Sequence, residues 1–190
     1  MRLPFGIVVS VAALALVACS KAPVSSEPRE DGGLPLDTEV MAYLSEARAL
    51  HHQANLREDA RDLPGAIAPL ERLAKARRPH KGATIPEVEE VLADTLAREA
   101  ELRLRSGDIA GAETDVRAGL THAPDPTYFR GHLLEISGVI DETVASTLAD
   151  AGKTAEAEQA RTRARDTLNQ AVSIQEQVLA HTTEADGGHR

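Results

Sequence analysis

The chain has 190 residues, of which 42% are hydrophobic, only 2% aromatic and 27% charged, and its formal net charge is −9. That balance speaks against nucleic acid and against polybasic adhesion to anionic lipid, both of which need clustered Lys and Arg. Ala, Leu, Arg and Glu dominate, and no run of alternating β-branched residues suggests a strand, so the expected class is all-α.

In chain order, the first feature is Arg2 followed by an almost unbroken apolar run from Phe5 to Val17, too short for a comfortable transmembrane helix. It ends in Leu16-Val17-Ala18-Cys19, which resembles the bacterial lipobox. The resemblance implies that residues 1–18 are a lipoprotein signal peptide and that Cys19 carries the lipid, palmitate-type acyl chains included. Cys19 is also the only cysteine, so no disulfide can form within one chain. Burial of acyl chain contributes ~0.8 kcal/mol per CH₂, enough with more than one chain to hold a domain stably at a bilayer. Ser20 follows where Asp would signal inner-membrane retention. By the same resemblance the expected location is the periplasmic face of the outer membrane. Residues 19–36 are rich in Pro, Ser and Gly with mixed charges, and read as a disordered tether spanning roughly 20–25 Å.

Residues 37–182 read as one domain of six amphipathic helices, and residues 183–190 as a disordered tail. The first helix follows Asp37-Thr38 and places Tyr43, Ala47, Leu50 and Ala54 on one face. The second starts at Asp62-Leu63-Pro64, where Pro suits a first turn, and carries Ala66, Leu70 and Leu73. The third opens on Thr84-Ile85-Pro86-Glu87, read as a capping box, with Val88, Leu92, Leu96 and Ala100 inward. In the fourth, Gly107 ends the preceding helix in a left-handed turn, Asp108 caps, Ala112 makes a close contact and Pro124 stops the run. The fifth starts at Asp125-Pro126 with Leu133, Ile136 and Ile140 inward. The sixth, after Gly152-Lys153, carries Ala157, Ala160, Ala164, Leu168, Ala171, Val172 and Leu179 and extends beyond the others.

The segments "DLPGA" at Asp62, "DIAGA" at Asp108 and "KTAEA" at Lys153 place equivalent alanines 46 and 45 residues apart. One helical hairpin is thus repeated three times, the mark of a stacked array. Across residues 96–124 the order and spacing of Leu96, Ala100, Gly107-Asp108, Ala112, Val116, Gly119 and Pro124 resemble the tetratricopeptide repeat (TPR) family. The resemblance implies a right-handed solenoid of three stacked antiparallel helix pairs. The period is longer than the family's 34 residues, its large aromatics are replaced by Leu96, Arg103 and Val116, and the third unit lacks a closing proline. The alternative is an unrelated six-helix bundle with Ala-rich contacts.

No Gly-rich phosphate loop, H-E-x-x-H or paired-Cys motif is present, so no enzyme and no cofactor is expected. His51, Asn55 and Glu58 share one helical face at a spacing a divalent metal could use, but exposed polar residues are the simpler account and no metal is expected. In the TPR family the first helix of each pair lines a groove that holds a peptide. Carried over by spacing, the lining is Arg48, His51, Asn55, Glu58 and Asp59 in the first unit, and Asp94, Ala97, Glu101, Leu104 and Arg105 in the second. Val139, Glu142, Ser146, Ala149 and Asp150 follow in the third. The partner-binding candidates are Arg48, His51, Asn55, Glu58, Asp94, Glu101, Arg105 and Glu142, and their excess of carboxylates predicts a partner with a basic, partly apolar segment. The function expected is a lipid-anchored adaptor, similar in role to pilotins and assembly lipoproteins. The alternative is a self-associating envelope-structural lipoprotein in which the last helix pairs with a second copy.

Overall fold

The computed structural model describes residues 37–187, with side chains through His181. The signal peptide, the lipidated Cys19 and the tether read from residues 1–36 lie outside the described residues. In chain order the described residues form α1 (Thr38–Asp59), α2 (Leu63–Ala74), α3 (Pro86–Ser106), α4 (Ile109–His122), α5 (Tyr128–Asp150) and α6 (Thr154–Gly187). A short turn, Pro79–Gly82, in which His80 and Lys81 take a left-handed backbone with φ of 49° and 57°, lies between α2 and α3, and no strand occurs among the described residues. The all-α class is therefore what the chain adopts. None of these helices is long and apolar enough to cross a membrane.

Three turns of one design join the helices in pairs. Arg61, Gly107 and Gly152 each take a left-handed backbone, with φ of 60°, 86° and 75°. Asp62, Asp108 and Lys153 then each return an N–H to a carbonyl five residues back, that of Arg57, Arg103 and Leu148. Such bonds satisfy the last carbonyls of the outgoing helix. Asp62 and Asp108 go on to cap the next helix, accepting from Gly65 N and Gly111 N at 3.0 Å each. Arg61 is the member of the set with a Cβ in a conformation that suits glycine. Arg61→Gly should therefore raise the unfolding free energy by roughly 0.5–1 kcal/mol. Chemical denaturation checks this, and an unchanged or lower value would show the turn to be unstrained.

Packing follows chain order. The tightest pairs are α1 with α2, α3 with α4 and α5 with α6; α2 meets α3, α4 meets α5, and α3 also touches α1 and α5. The central core joins Ala97, Ala112, Val116, Leu133, Ile136 and Ile140 from α3, α4 and α5. Ala112 is fully buried, as its smallness and position suggest. α6 lies close along α5 because the α5 surface is a glycine where the helices meet: a Cβ on Gly138 would stand 2.5 Å from Leu168 Cγ and 3.3 Å from the carbonyl oxygen of Ala164.

Four local expectations change. Thr84 does not cap α3; Ile85 occupies the cap position without a side-chain bond, and Pro86 provides the preset first turn. α5 begins at Tyr128, not at Asp125-Pro126, since the proline disfavours helical backbone at Asp125; Thr127 caps it instead. Val172 and Leu179 face outward, 56% and 66% exposed. The buried stripe of α6 is Ala157, Ala160, Ala164 and Ala171, so Val172 falls one residue, about 100°, off the stripe. Leu179 lies past Gln175, which already reaches the first residue of α5 by donating to the Tyr128 carbonyl. Finally, α6 runs to Gly187, beyond residue 182, with no Gly or Pro between Thr154 and that point to stop it.

Two charge clusters stitch the helices on the side of α3 that faces α2 and α4. Arg103 meets Glu99 and Glu71 at 2.6 Å, Asp115 at 2.7 Å and Asp108 at 3.1 Å. Burial holds the Glu99 and Asp115 carboxyls above the usual carboxylate range despite this cation. Glu89 of α3 is shared between Arg78, in the connection just before Pro79, and His122 of α4, whose Nδ1 lies 2.5 Å from it. Burial, aided by Arg78, holds His122 below the usual histidine range.

Candidate functional site

The residues singled out from sequence lie on α1, α3 and α5, and the fold ties most of them into one connected polar face with α3 at its centre. His51 sits half-buried with Nε2 3.0 Å from Thr95 Oγ1, while its Nδ1 is 4.0 Å from Asp94 Oδ2. Thr95 in turn donates to the Val91 carbonyl at 2.6 Å, so its hydroxyl can only accept from the imidazole. Burial pulls the His51 pKa below its ordinary value, against the opposing pull of Asp94. Asn55 accepts from Arg98 at 3.3 Å. Glu58 accepts from both Arg98 and Arg105, and the Arg105 hydrogen bond is the main reason that its pKa is lowered. Asn55 and Glu58 thus share Arg98 while His51 turns to Thr95, so the three do not converge on a common point.

Glu101 continues the chain of contacts towards α5. It lies 3.8 Å from Arg98 and 3.2 Å from His132 Nε2. That hydrogen bond raises the His132 pKa, while His132 Nδ1 is buried without a partner. Beyond Glu101 a cleft of about 330 Å³ opens between α3 and α5, lined by Glu101, Leu104, Arg105, His132, Glu135, Ile136 and Val139. Arg48 and Glu142, the outermost candidates, are exposed and make no ion pair among the described residues.

Two corrections concern register and charge. Ala97 is buried in the core, not on this face. The face of α3 is Asp94, Arg98, Glu101 and Arg105, at intervals of four, three and four, which places Arg98 where the spacing from the first unit put Ala97. The consequence is electrostatic. With Arg98 and His132 included, Glu58 and Glu101 are answered, and the α1–α3 half of the face is close to compensated. On the α5 side of the face, Glu135 and Glu142 are exposed and have no hydrogen-bond or ion-pair partner among the described residues. His132 and Glu135 escape a reading by family spacing because it enters α5 only at Val139. The signal that finds them is local: Tyr128, His132, Glu135, Val139 and Glu142 follow one another at three- and four-residue steps. No family model, no curated protein and no solved structure matches this chain.

Proposed function

We propose that this chain is a lipid-anchored adaptor of the bacterial envelope, held at the periplasmic face of the outer membrane by acylated Cys19. Its three helix pairs would form a divergent, right-handed TPR-like solenoid that presents α1, α3 and α5 to a protein partner. The repeated turns at Arg61, Gly107 and Gly152 and the neighbour-by-neighbour packing of the pairs support that arrangement. The observation that carries the binding role is the face itself. Three helices contribute to one continuous polar network, and it borders a cleft with apolar residues and one unanswered carboxylate, Glu135. Catalysis has no comparable support: the one hydroxyl–imidazole contact on that face, Thr95 with His51, has its hydroxyl fully buried and donating to the Val91 carbonyl.

The anchor and the face can be tested in one cell-based experiment. Cys19→Ala should move the protein from the membrane to the soluble periplasmic fraction; unchanged partition would remove lipidation from the account. A photo-crosslinking amino acid at exposed Arg48 should capture a distinct protein. Capture of only a second copy of the chain would favour the self-associating alternative, and no adduct would end the adaptor reading.

A further inference from the structure

We infer that the outer stripe of α5, from Tyr128 to Glu142, is the seat for a basic amphipathic segment of a partner protein. The segment would lodge an apolar side chain in the cleft at Leu104, Ile136 and Val139, and lay its cations along Glu135 and Glu142. This rests on the adaptor reading and says where on the face, and with what chemistry, recognition occurs.

Helical geometry puts the stripe on a single side. At 100° per residue, Tyr128, His132, Glu135, Val139 and Glu142 fall within a sector of about 80°. That sector lies between two neighbours. Gly131 and Gly138 on one side are covered by Gln175 and Leu168 of α6, and Ile136 and Ile140 on the other belong to the core shared with α3 and α4. What remains is open along its length.

Its composition departs from an ordinary solvated face. Tyr128 and Val139 are 54% and 40% exposed, and both are large hydrophobics. One exposed apolar side chain needs no explanation. Two on one stripe, about 16 Å apart along the helix, with an apolar-floored cleft beside the second, form a pair of contact points. The Tyr128 ring is also braced, edge-on to Phe129 at 5.5 Å and 5.9 Å from His132. An ordered exposed aromatic loses little side-chain freedom on binding, which is why tyrosine is enriched among the residues that carry interface energy.

The charges select the partner. Neighbouring Asp141, outside the stripe, is answered by Arg163 of α6 at 2.8 Å. Glu135 and Glu142 have no such answer among the described residues, and lie about 10 Å apart along the helix. The cations across the cleft are already engaged, Arg105 with Glu58 and Arg98 with Glu58 and Glu101. A segment with cations two helical turns apart complements this pattern; an acidic segment, anionic lipid or nucleic acid is repelled by it. The last helix of a second copy is a poor donor of those cations, since Arg161 and Arg165 of α6 are paired to Glu158 and Arg163 to Asp141.

The probes are two labelled synthetic helical peptides of one amphipathic pattern, Lys/Leu and Glu/Leu, titrated by fluorescence anisotropy into the full chain carrying Cys19→Ala. The Lys/Leu peptide should bind at least tenfold more tightly than the Glu/Leu peptide. Tyr128→Ala and Val139→Ser should each weaken it about tenfold. Glu135→Gln with Glu142→Gln should weaken it about tenfold at low salt and much less at high salt. Glu87→Gln with Glu113→Gln, exposed acids away from the stripe, should change it less than twofold. All these positions are exposed, and circular dichroism would confirm an intact fold. Lys/Leu binding that survives every stripe variant, or no preference between the peptides, would overturn the inference. A crosslinked partner at position 48 in the same strain would show the adaptor reading to stand without it.

Discussion

Arg103→Met should lower the unfolding free energy by about 3–5 kcal/mol, the usual penalty for removing one partner from a buried ion pair. Few residues in this chain hold so much together. Its guanidinium reaches Glu71 on α2, Glu99 on its own helix, and Asp108 and Asp115 at and within α4. Glu99 is only 3% exposed, so without Arg103 its carboxylate has neither water nor a counter-charge. Methionine replaces the stem's volume but none of the charge. Arg103→Lys should recover only part of the loss, because one ammonium cannot serve four carboxylates in the directions a planar fork does.

The same network sets a pH dependence with a definite sign. Burial raises the folded-state pKa of Glu99, and of Asp115, above the unfolded values. The protonated forms are thus favoured by the fold. Their stabilising contribution is fully present below the ordinary carboxylate range and disappears as pH rises through the raised values. Removing Arg103 takes away what opposes that shift. The destabilisation by Arg103→Met should therefore be smallest in mild acid and grow towards neutral pH, as read from denaturation curves at both. A loss below about 1 kcal/mol, or one independent of pH, would mean that the cluster behaves as a solvated surface network.

How far the sequence reaches is visible at particular residues. Gly107-Asp108 and the Asp62 cap are legible because the chemistry of a turn is local: a left-handed position followed by a side-chain acceptor. Arg61 hides the same turn behind a side chain that ordinarily avoids it, and only the following Asp62 betrays it. The turn at Pro79–Gly82 puts His80 and Lys81 in a left-handed backbone that side chains ordinarily avoid, and a distant contact accompanies it. His80 is held 2.5 Å from Asp37, before the start of α1.

The candidate face shows the same boundary. That His51, Asn55 and Glu58 share a side of α1 follows from helical periodicity alone. That they turn towards Thr95, Arg98 and Arg105 depends on how α1 crosses α3, which no spacing encodes. A one-residue error of register exchanges Ala97 for Arg98, whose charge largely cancels the negative field over half the face. Counting carboxylates along the chain therefore overstates the negative charge near α1 and misses Glu135 on α5.

Leu133→Ala should cost about 2–5 kcal/mol, since Leu133 is fully buried where α5 crosses α4 and truncation leaves a cavity there. The opposing surface of α4 makes the result sharper than a size effect. A Cβ on Gly119 would stand 2.6 Å and 3.1 Å from the two methyls of Leu133, so Gly119→Ala should overpack the wild-type protein and cost about 1–3 kcal/mol. In the Leu133→Ala background those methyls are gone. There the same change fills part of the cavity and removes a helix-interior glycine, which is itself unfavourable by about 0.5–1 kcal/mol relative to alanine. Gly119→Ala should then switch from destabilising to stabilising, a coupling that a double-mutant cycle by chemical denaturation measures directly. Equal cost in both backgrounds would show that the added methyl meets Leu96, whose Cβ is 3.4 Å away, rather than Leu133, and that α4 and α5 are held apart by α3.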